Sequence, residues 1–112
     1  MIGSGKTIVV LGTMDTKGRE MKFLKEEIEK RGHSALVMDA GVIGEPYFKP
    51  DVPREEVTAA GGMDYKELMK NPTREVASPL MSRGATKIIK KLLGEEKIHG
   101  IISMGGTQGT TL

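Results

Sequence analysis

The sequence has no cysteine and no tryptophan, and only two tyrosines and two phenylalanines among its 112 residues. Without cysteine there can be no disulfide, no thiolate metal ligand and no cysteine nucleophile, a usage that fits a reducing compartment. So few aromatics leave no row of rings on which the bases of a nucleic acid strand could stack. No apolar run nears the ~18 residues a membrane-spanning helix needs, and no signal-peptide pattern opens the chain. An excess of one charge is also lacking. The 17 basic and 15 acidic residues leave a net charge of +2, with no basic stripe to meet a phosphate backbone. His33 and His99 stand far apart, with no metal-ligand spacing between them. The expectation is a cytoplasmic protein whose partners are neither nucleic acid nor membrane.

What is present is ordinary for a globular chain, 38% hydrophobic and 29% charged. At this length one small domain can bury about two-thirds of its unfolded surface. The opening GSGKT looks like the end of a phosphate-binding P-loop, but the order of elements is wrong. A P-loop follows a strand and opens a helix. Here no strand precedes Gly3, and Thr7-Ile8-Val9-Val10-Leu11 after it is a β-branched strand pattern. Residues 1–6 are therefore read as a flexible leader, and residues 7–112 as a partial nucleotide-binding α/β domain.

Strand and helix patterns then alternate. The spacing predicts a strand at Thr7–Leu11 and a helix from about Thr16 to Arg31, stopped by Gly32. A second strand follows at Ala35–Met38, ending at Asp39. The stretch GVIGEPYFKPDVP, residues 41–53, carries three prolines and reads as a long ordered loop. Short helices are expected at Arg54–Ala60 and Asp64–Lys70, and a longer one at Thr73–Leu93. Pro79 is expected in that helix's first turn with Ser78 as N-cap, or else at a kink. A third strand spans Ile98–Met104. Strands without polar interruption imply a parallel sheet covered on both faces. The expected fold class is α/β, a three-layer Rossmann-like open parallel sheet of strand order 2-1-3. The glycine-rich ending GGTQGTTL follows a strand with no room for the helix such a turn feeds, so the domain is expected to be truncated.

In such a sheet ligands bind beyond the carboxyl ends of the strands, where strand order reverses. With this order, right-handed crossovers bring all three turns to one rim. The first turn carries Gly12, Thr13, Asp15, Thr16 and Lys17: hydroxyls and a cation for a phosphate, and an acid for a metal or a ribose hydroxyl. The alternative is that Asp15 or Thr16 only caps the helix. Asp39 and Gly41 end the second strand, where Rossmann proteins hold a ribose hydroxyl; a loop cap is the alternative there. The last turn offers Gly105, Gly106 and Gly109 for close backbone approach, with hydroxyls from Thr107, Thr110 and Thr111. Either this turn binds phosphate or its glycines only permit a tight bend. The eight methionines read as core filler. No Ser/His/Asp set or activated nucleophile is found.

Three strings carry a resemblance that covers Thr7 to Leu112: TIVVLGTMDTKGREMKFLKEEIE, LVMDAGVIGEPYFKPDVPREEVTAAGG and RGATKIIKKLLGEEKIHGIISMGGTQGTTL. The chain resembles the N-terminal portion of the largely microbial family similar to the ATP-binding domain of the tomato mosaic virus resistance protein. The motifs are G-T-x-D-T-K, D-x-G-V-x-G-E-P with a following P-D-[IV]-x-R-E-E-V, and G-G-x-x-G-T. The resemblance implies a longer, two-domain protein. In the plant relative the first domain binds ATP, and the protein inhibits viral RNA replication by binding the viral replication protein. Carried over by motif, the first and last turns would hold ATP, with or without Mg2+, while Asp39, Gly41, Gly44 and Glu45 fall in the middle motif. Gln108 stands where members have a further glycine, and Pro79 where they have a helix former. The expected partners are a nucleotide, the C-terminal remainder of the same protein and a second copy of the chain. Two other functions stay open: part of an enzyme acting on a phosphorylated or carboxylated small molecule, and an interaction module with a structural nucleotide.

Overall fold

The computed structural model describes residues 5–104. Seven elements follow in order: β1 (Thr7–Gly12), α1 (Met14–Lys30), β2 (Ser34–Asp39), α2 (Arg54–Ala60), α3 (Tyr65–Lys70), α4 (Arg74–Gly94) and β3 (Gly100–Ser103). The three strands form one parallel sheet in the order β2-β1-β3, as the alternating pattern implies. The architecture is an α/β open sheet, a Rossmann-like fragment of a domain.

Neighbouring residues of a strand point to opposite faces, and both Val9 and Val10 of the central strand are fully buried. The sheet is therefore covered on each side at β1. Val9, Leu11 and Met38 pack with Val57, Leu68, Leu80, Met81 and Ala85 from the α2–α4 layer. Val10 and Val37 pack on the other side with Met14, Met21 and Ile28 of α1. The register matches Val10 to Val37 and Leu11 to Met38, so each cross-strand pair feeds one layer. Each such side chain taken wholly out of water stabilises the fold by roughly 1.5–3 kcal/mol. Helices α2 and α4 touch backbone to backbone, because Gly84 of α4 has no Cβ to strike the Val57 carbonyl.

Three boundaries differ from the sequence expectation. Helix α1 begins at Met14, not Thr16, with a break in helical geometry at Lys17 (φ −116°, ψ 15°). Its extra turn is held from a distance: the Met14 N–H donates to Asp39 Oδ1 at 3.2 Å, a contact no local pattern announces. Pro79 lies inside α4, and Thr73 rather than Ser78 stands at its N-cap. The residue is exposed, so its ring meets no packed neighbour that would forbid it there. Strand β3 is shorter than expected, although His99 N–H to Thr7 O (2.8 Å) and Met104 N–H to Leu11 O (2.7 Å) carry the pairing slightly past its ends.

The two sheet edges are treated differently. Alongside β2, Val52 pairs with Met38 in a parallel bridge. The Val52 N–H donates to Val37 O and the Asp39 N–H to Val52 O, at 2.9 and 3.0 Å. Pro50 and Pro53 flank this segment and have no N–H to carry the pairing on. Strand β3 has no such cover among the described residues, and Ile101 and Ile102, on opposite faces, are 45% and 37% exposed. At the far end of the sheet, Lys6, assigned to the leader by sequence, donates its N–H to His33 Nδ1 at 3.0 Å. Its carbonyl accepts from Ser34. His99 Nδ1 accepts the Thr7 N–H at 3.0 Å. Among the described residues no helix is long and apolar enough to cross a membrane.

Candidate functional site

The chain runs from β1 outward to β2 through α1, then returns past β1 to β3 through α4 on the opposite face. Strand order thus reverses between β1 and β3, and the β1–α1 turn stands at that reversal, beyond the carboxyl ends of the strands. In open α/β sheets this crevice is where ligands bind. Gly12 is needed there for space: a Cβ at this position would lie 2.6 Å from the Met104 carbonyl oxygen.

The structure brings Gly12, Thr13, Asp15, Thr16, Lys17, Asp39 and Gly41 together at this rim. Gly105, Gly106, Thr107, Gly109, Thr110 and Thr111 lie outside the described residues. Within the first turn the Thr13 and Thr16 hydroxyls are 2.7 Å apart. Either can be the donor, and the Thr16 hydroxyl also reaches Thr13 O at 3.4 Å. The amides of Thr16 and Lys17 both donate to Thr13 O. Thr13, not Asp15 or Thr16, occupies the N-cap position, without a side-chain cap. Asp15 is exposed and Lys17 half-buried, and neither side chain has a hydrogen bond or ion pair among the described residues. An acid and a base are thus held unpaired at a helix N-terminus, where the dipole favours an anion.

Asp39 is the opposite case. It is fully buried, and its oxygens have interior partners. Oδ1 accepts from the amides of Met14 and Gly41 (3.2 and 2.8 Å), and Oδ2 from Arg54 Nε (2.9 Å). This is the geometry of a loop cap, doubled by a buried ion pair. Arg54 is 4% exposed and also donates through Nη1 to Gly44 O at 2.6 Å. Burial alone would lower its pKa, but the neighbouring Tyr65 hydroxyl and the Asp39 carboxylate more than offset this and raise it. The guanidinium therefore stays charged. Its Nη2 is buried without an acceptor among the described residues.

The 41–53 loop is fastened over this pair. Tyr65 donates its hydroxyl proton to Val42 O (3.0 Å), and Asp51 Oδ2 accepts the Val37 N–H (2.7 Å). Gly44 adopts φ +85° against the Asp15 side chain. A Cβ on Gly41 would sit 2.9 Å from Asp15 Oδ1, 3.0 Å from Asp39 Oδ1 and 3.1 Å from Arg54 Nη2, so three charged groups close on one glycine. Further along the same helix a cleft of about 290 Å³ is lined by Met14, Asp15, Thr16, Gly18, Arg19, Glu20 and Tyr47. Glu45 is exposed on the loop.

Arg54, Tyr47 and Tyr65 carry much of this geometry, and sequence reasoning gave none of them a role. One signal was available for Arg54. It opens a helix, the end where the dipole disfavours a cation, and a cation there asks for a carboxylate.

The first turn, the buried Asp39–Arg54 pair and the fastened loop define a rim site on a Rossmann-like α/β domain. Residues 6–112 match the uncharacterised protein family UPF0261, N-terminal domain, and the chain belongs to that family. It is 45% identical over 107 residues to a UPF0261 protein of Clostridium tetani, covering 96% of this chain and 26% of that protein. A UPF0261 protein of Brucella suis is 32% identical over 105 residues, covering 94% and 25%. The ToMV susceptible protein tm-1(GCR26) of Solanum lycopersicum is 23% identical over 120 residues, covering 94% of this chain and 16% of that protein. The chain thus spans about a quarter of the length of the UPF0261 relatives. No solved structure matches it.

Proposed function

We propose that this domain binds a nucleotide, with ATP the fitting member, and that the β1–α1 turn takes its phosphates. The observation that carries the reading is Lys17, half-buried and unpaired among the described residues, beside the coupled hydroxyls of Thr13 and Thr16. This cation stands at the reversal of strand order. An ammonium held there without a carboxylate is arranged for an anion that arrives with the ligand. Asp15 then serves as a ligand to the Mg2+ that accompanies a triphosphate, or as a hydroxyl acceptor. Gly105, Gly106, Thr107, Gly109, Thr110 and Thr111, outside the described residues, are proposed to share in holding the phosphates. Asp39 acts indirectly, holding the first turn in place through the Met14 amide.

Calorimetric titration of the chain with ATP, with and without Mg2+, tests the reading. Lys17→Met is expected to weaken binding at least tenfold, the loss of one charge-assisted hydrogen bond, with an unchanged melting temperature. Wild-type chain that ignores ATP under both conditions would sink it. The β3 edge, uncovered among the described residues and with Ile101 and Ile102 exposed, supports a further proposal, that the remainder of a longer protein or a second copy covers it in the cytoplasm. Sedimentation equilibrium across a concentration series separates the two, since only the second copy gives concentration-dependent mass.

A further inference from the structure

We infer that the two histidines form a pH-sensitive clasp on the entry to the central strand, closed on Lys6 and Thr7 while the rings are neutral and opened by acid. The chain has two histidines, and they occupy equivalent places in the fold. His33 immediately precedes Ser34, the first residue of β2, and His99 precedes Gly100, the first residue of β3. These are the strands that flank β1. Neither histidine belongs to the rim site, which lies at the opposite ends of the strands.

Successive residues of an extended chain turn their backbone polar groups to opposite sides. Lys6 turns toward β2. Its carbonyl accepts from the Ser34 N–H at 2.7 Å, and its own N–H donates to His33 Nδ1 at 3.0 Å. Thr7 turns toward β3. Its carbonyl accepts from the His99 N–H at 2.8 Å, and its N–H donates to His99 Nδ1 at 3.0 Å. On each side an imidazole nitrogen takes the place of the strand carbonyl that would close the first rung of the ladder. The segment entering the clasp also runs close to the turn that carries His33, since a Cβ on Gly5 would lie 2.8 Å from the Gly32 carbonyl oxygen.

Nδ1 accepts a hydrogen bond only while it carries no proton, which requires the neutral ring with its proton on Nε2. In the imidazolium both nitrogens are donors, so Nδ1–H would face the amide N–H, donor against donor. The bonded form is the neutral one, so the clasp is complete at alkaline pH and is lost as pH falls. Histidine is the side chain that ordinarily changes charge between about pH 5 and pH 8, so acid in that window acts on both rungs together. The charged groups that adjoin the rings are Lys6, Lys30 and Arg31 at the end of α1, and Lys97 ahead of β3. Lys30 and Arg31 both pair with Glu27, and Lys97 pairs with Glu95. No carboxylate pairs with either ring among the described residues, so a protonated ring finds no counter-ion to hold it in position.

Nuclear magnetic resonance on the full chain tests the clasp. As pH falls from about 8 to about 5, the Lys6 and Thr7 amides are expected to lose about fivefold in protection against solvent exchange, the worth of one ordinary hydrogen bond each. Each loss should run in step with the ring-nitrogen signals of its own histidine. Asparagine offers an acceptor oxygen near the place of Nδ1 and does not titrate. His33→Asn should therefore abolish the response at Lys6 and leave that at Thr7, and His99→Asn should do the reverse. Urea midpoints give a second reading: between the same two pH values the double variant should lose less stability than the wild type. Protection at Lys6 and Thr7 that stays level in the wild type, or falls equally in the variants, would overturn the clasp. So would rings that carry their proton on Nδ1 at alkaline pH.

Discussion

Replacing Asp39 with asparagine should cost this domain a large part of its stability, although the side chain changes by a single atom. The Asp39 and Arg54 side chains are 1% and 4% exposed, with Nε and Oδ2 2.9 Å apart. Asparagine leaves the guanidinium charged and buried without its counter-ion. It also has one oxygen where two are needed: turned toward Arg54 it presents its NH2 to the amides of Met14 and Gly41, and turned the other way it presents NH2 to Arg54. Breaking one side of a buried pair costs about 3–5 kcal/mol, against a total of about 5–15 kcal/mol for a small domain. At about 4–8 °C per kcal/mol for a domain of this size, the melting temperature should fall by about 12 °C or more. Urea denaturation followed by far-UV circular dichroism gives the number directly. The double variant Asp39→Asn, Arg54→Met has no stranded charge, so it should be more stable than the sum of the two single losses implies. An Asp39→Asn variant within about 1 kcal/mol of wild type, or strictly additive losses, would refute the reasoning, because exposed pairs behave that way.

Gly84→Ala should destabilise the domain by about 1–3 kcal/mol, the usual cost of overpacking, despite alanine's better helix propensity. The new methyl meets the Val57 carbonyl where α2 and α4 touch, and urea midpoints against wild type decide it. The Lys25–Glu29 pair (2.7 Å) lies on the exposed side of α1. Its hydrogen bond to Glu29 outweighs partial burial and raises the Lys25 pKa above 10.5. A raised pKa in the folded state means that the pair's contribution is complete below 10.5 and is lost as pH climbs through the folded value. The stability difference between wild type and Lys25→Met should therefore be small and constant across neutral pH, then vanish in strong alkali. Urea midpoints over a pH series would expose the opposite trend.

The strand order and helix layers were legible in the sequence because they depend on periodicity. Thr7–Leu11 and Ala35–Met38 are unbroken apolar runs, and Met21, Leu24 and Ile28 repeat at helical spacing. The rim was legible as far as glycine, threonine and acid mark a turn. What escaped was long-range. The start of α1 is set by a carboxylate on the next strand, and Asp39's bonding is fixed by Arg54, fifteen residues on. A rule about local hydrogen bonds put Pro79 at a helix start or else at a kink. An exposed site let it stand inside α4. Tyr47 gave no signal in its own neighbourhood, since its seat is a glycine on another element.

The unequal edges give the sheet a direction of growth. On the β2 flank, two prolines bracket a two-residue splint and shut the ladder, so no strand can be appended there without first unseating Val52. On the β3 flank, nothing among the described residues turns an incoming strand away. Among the described residues, any added strand, whichever polypeptide lends it, has a single berth. That berth lies beside the reversal of strand order, so whatever docks there also becomes a wall of the crevice. Assembly at one margin and occupancy of the rim would then be two readings of the same event.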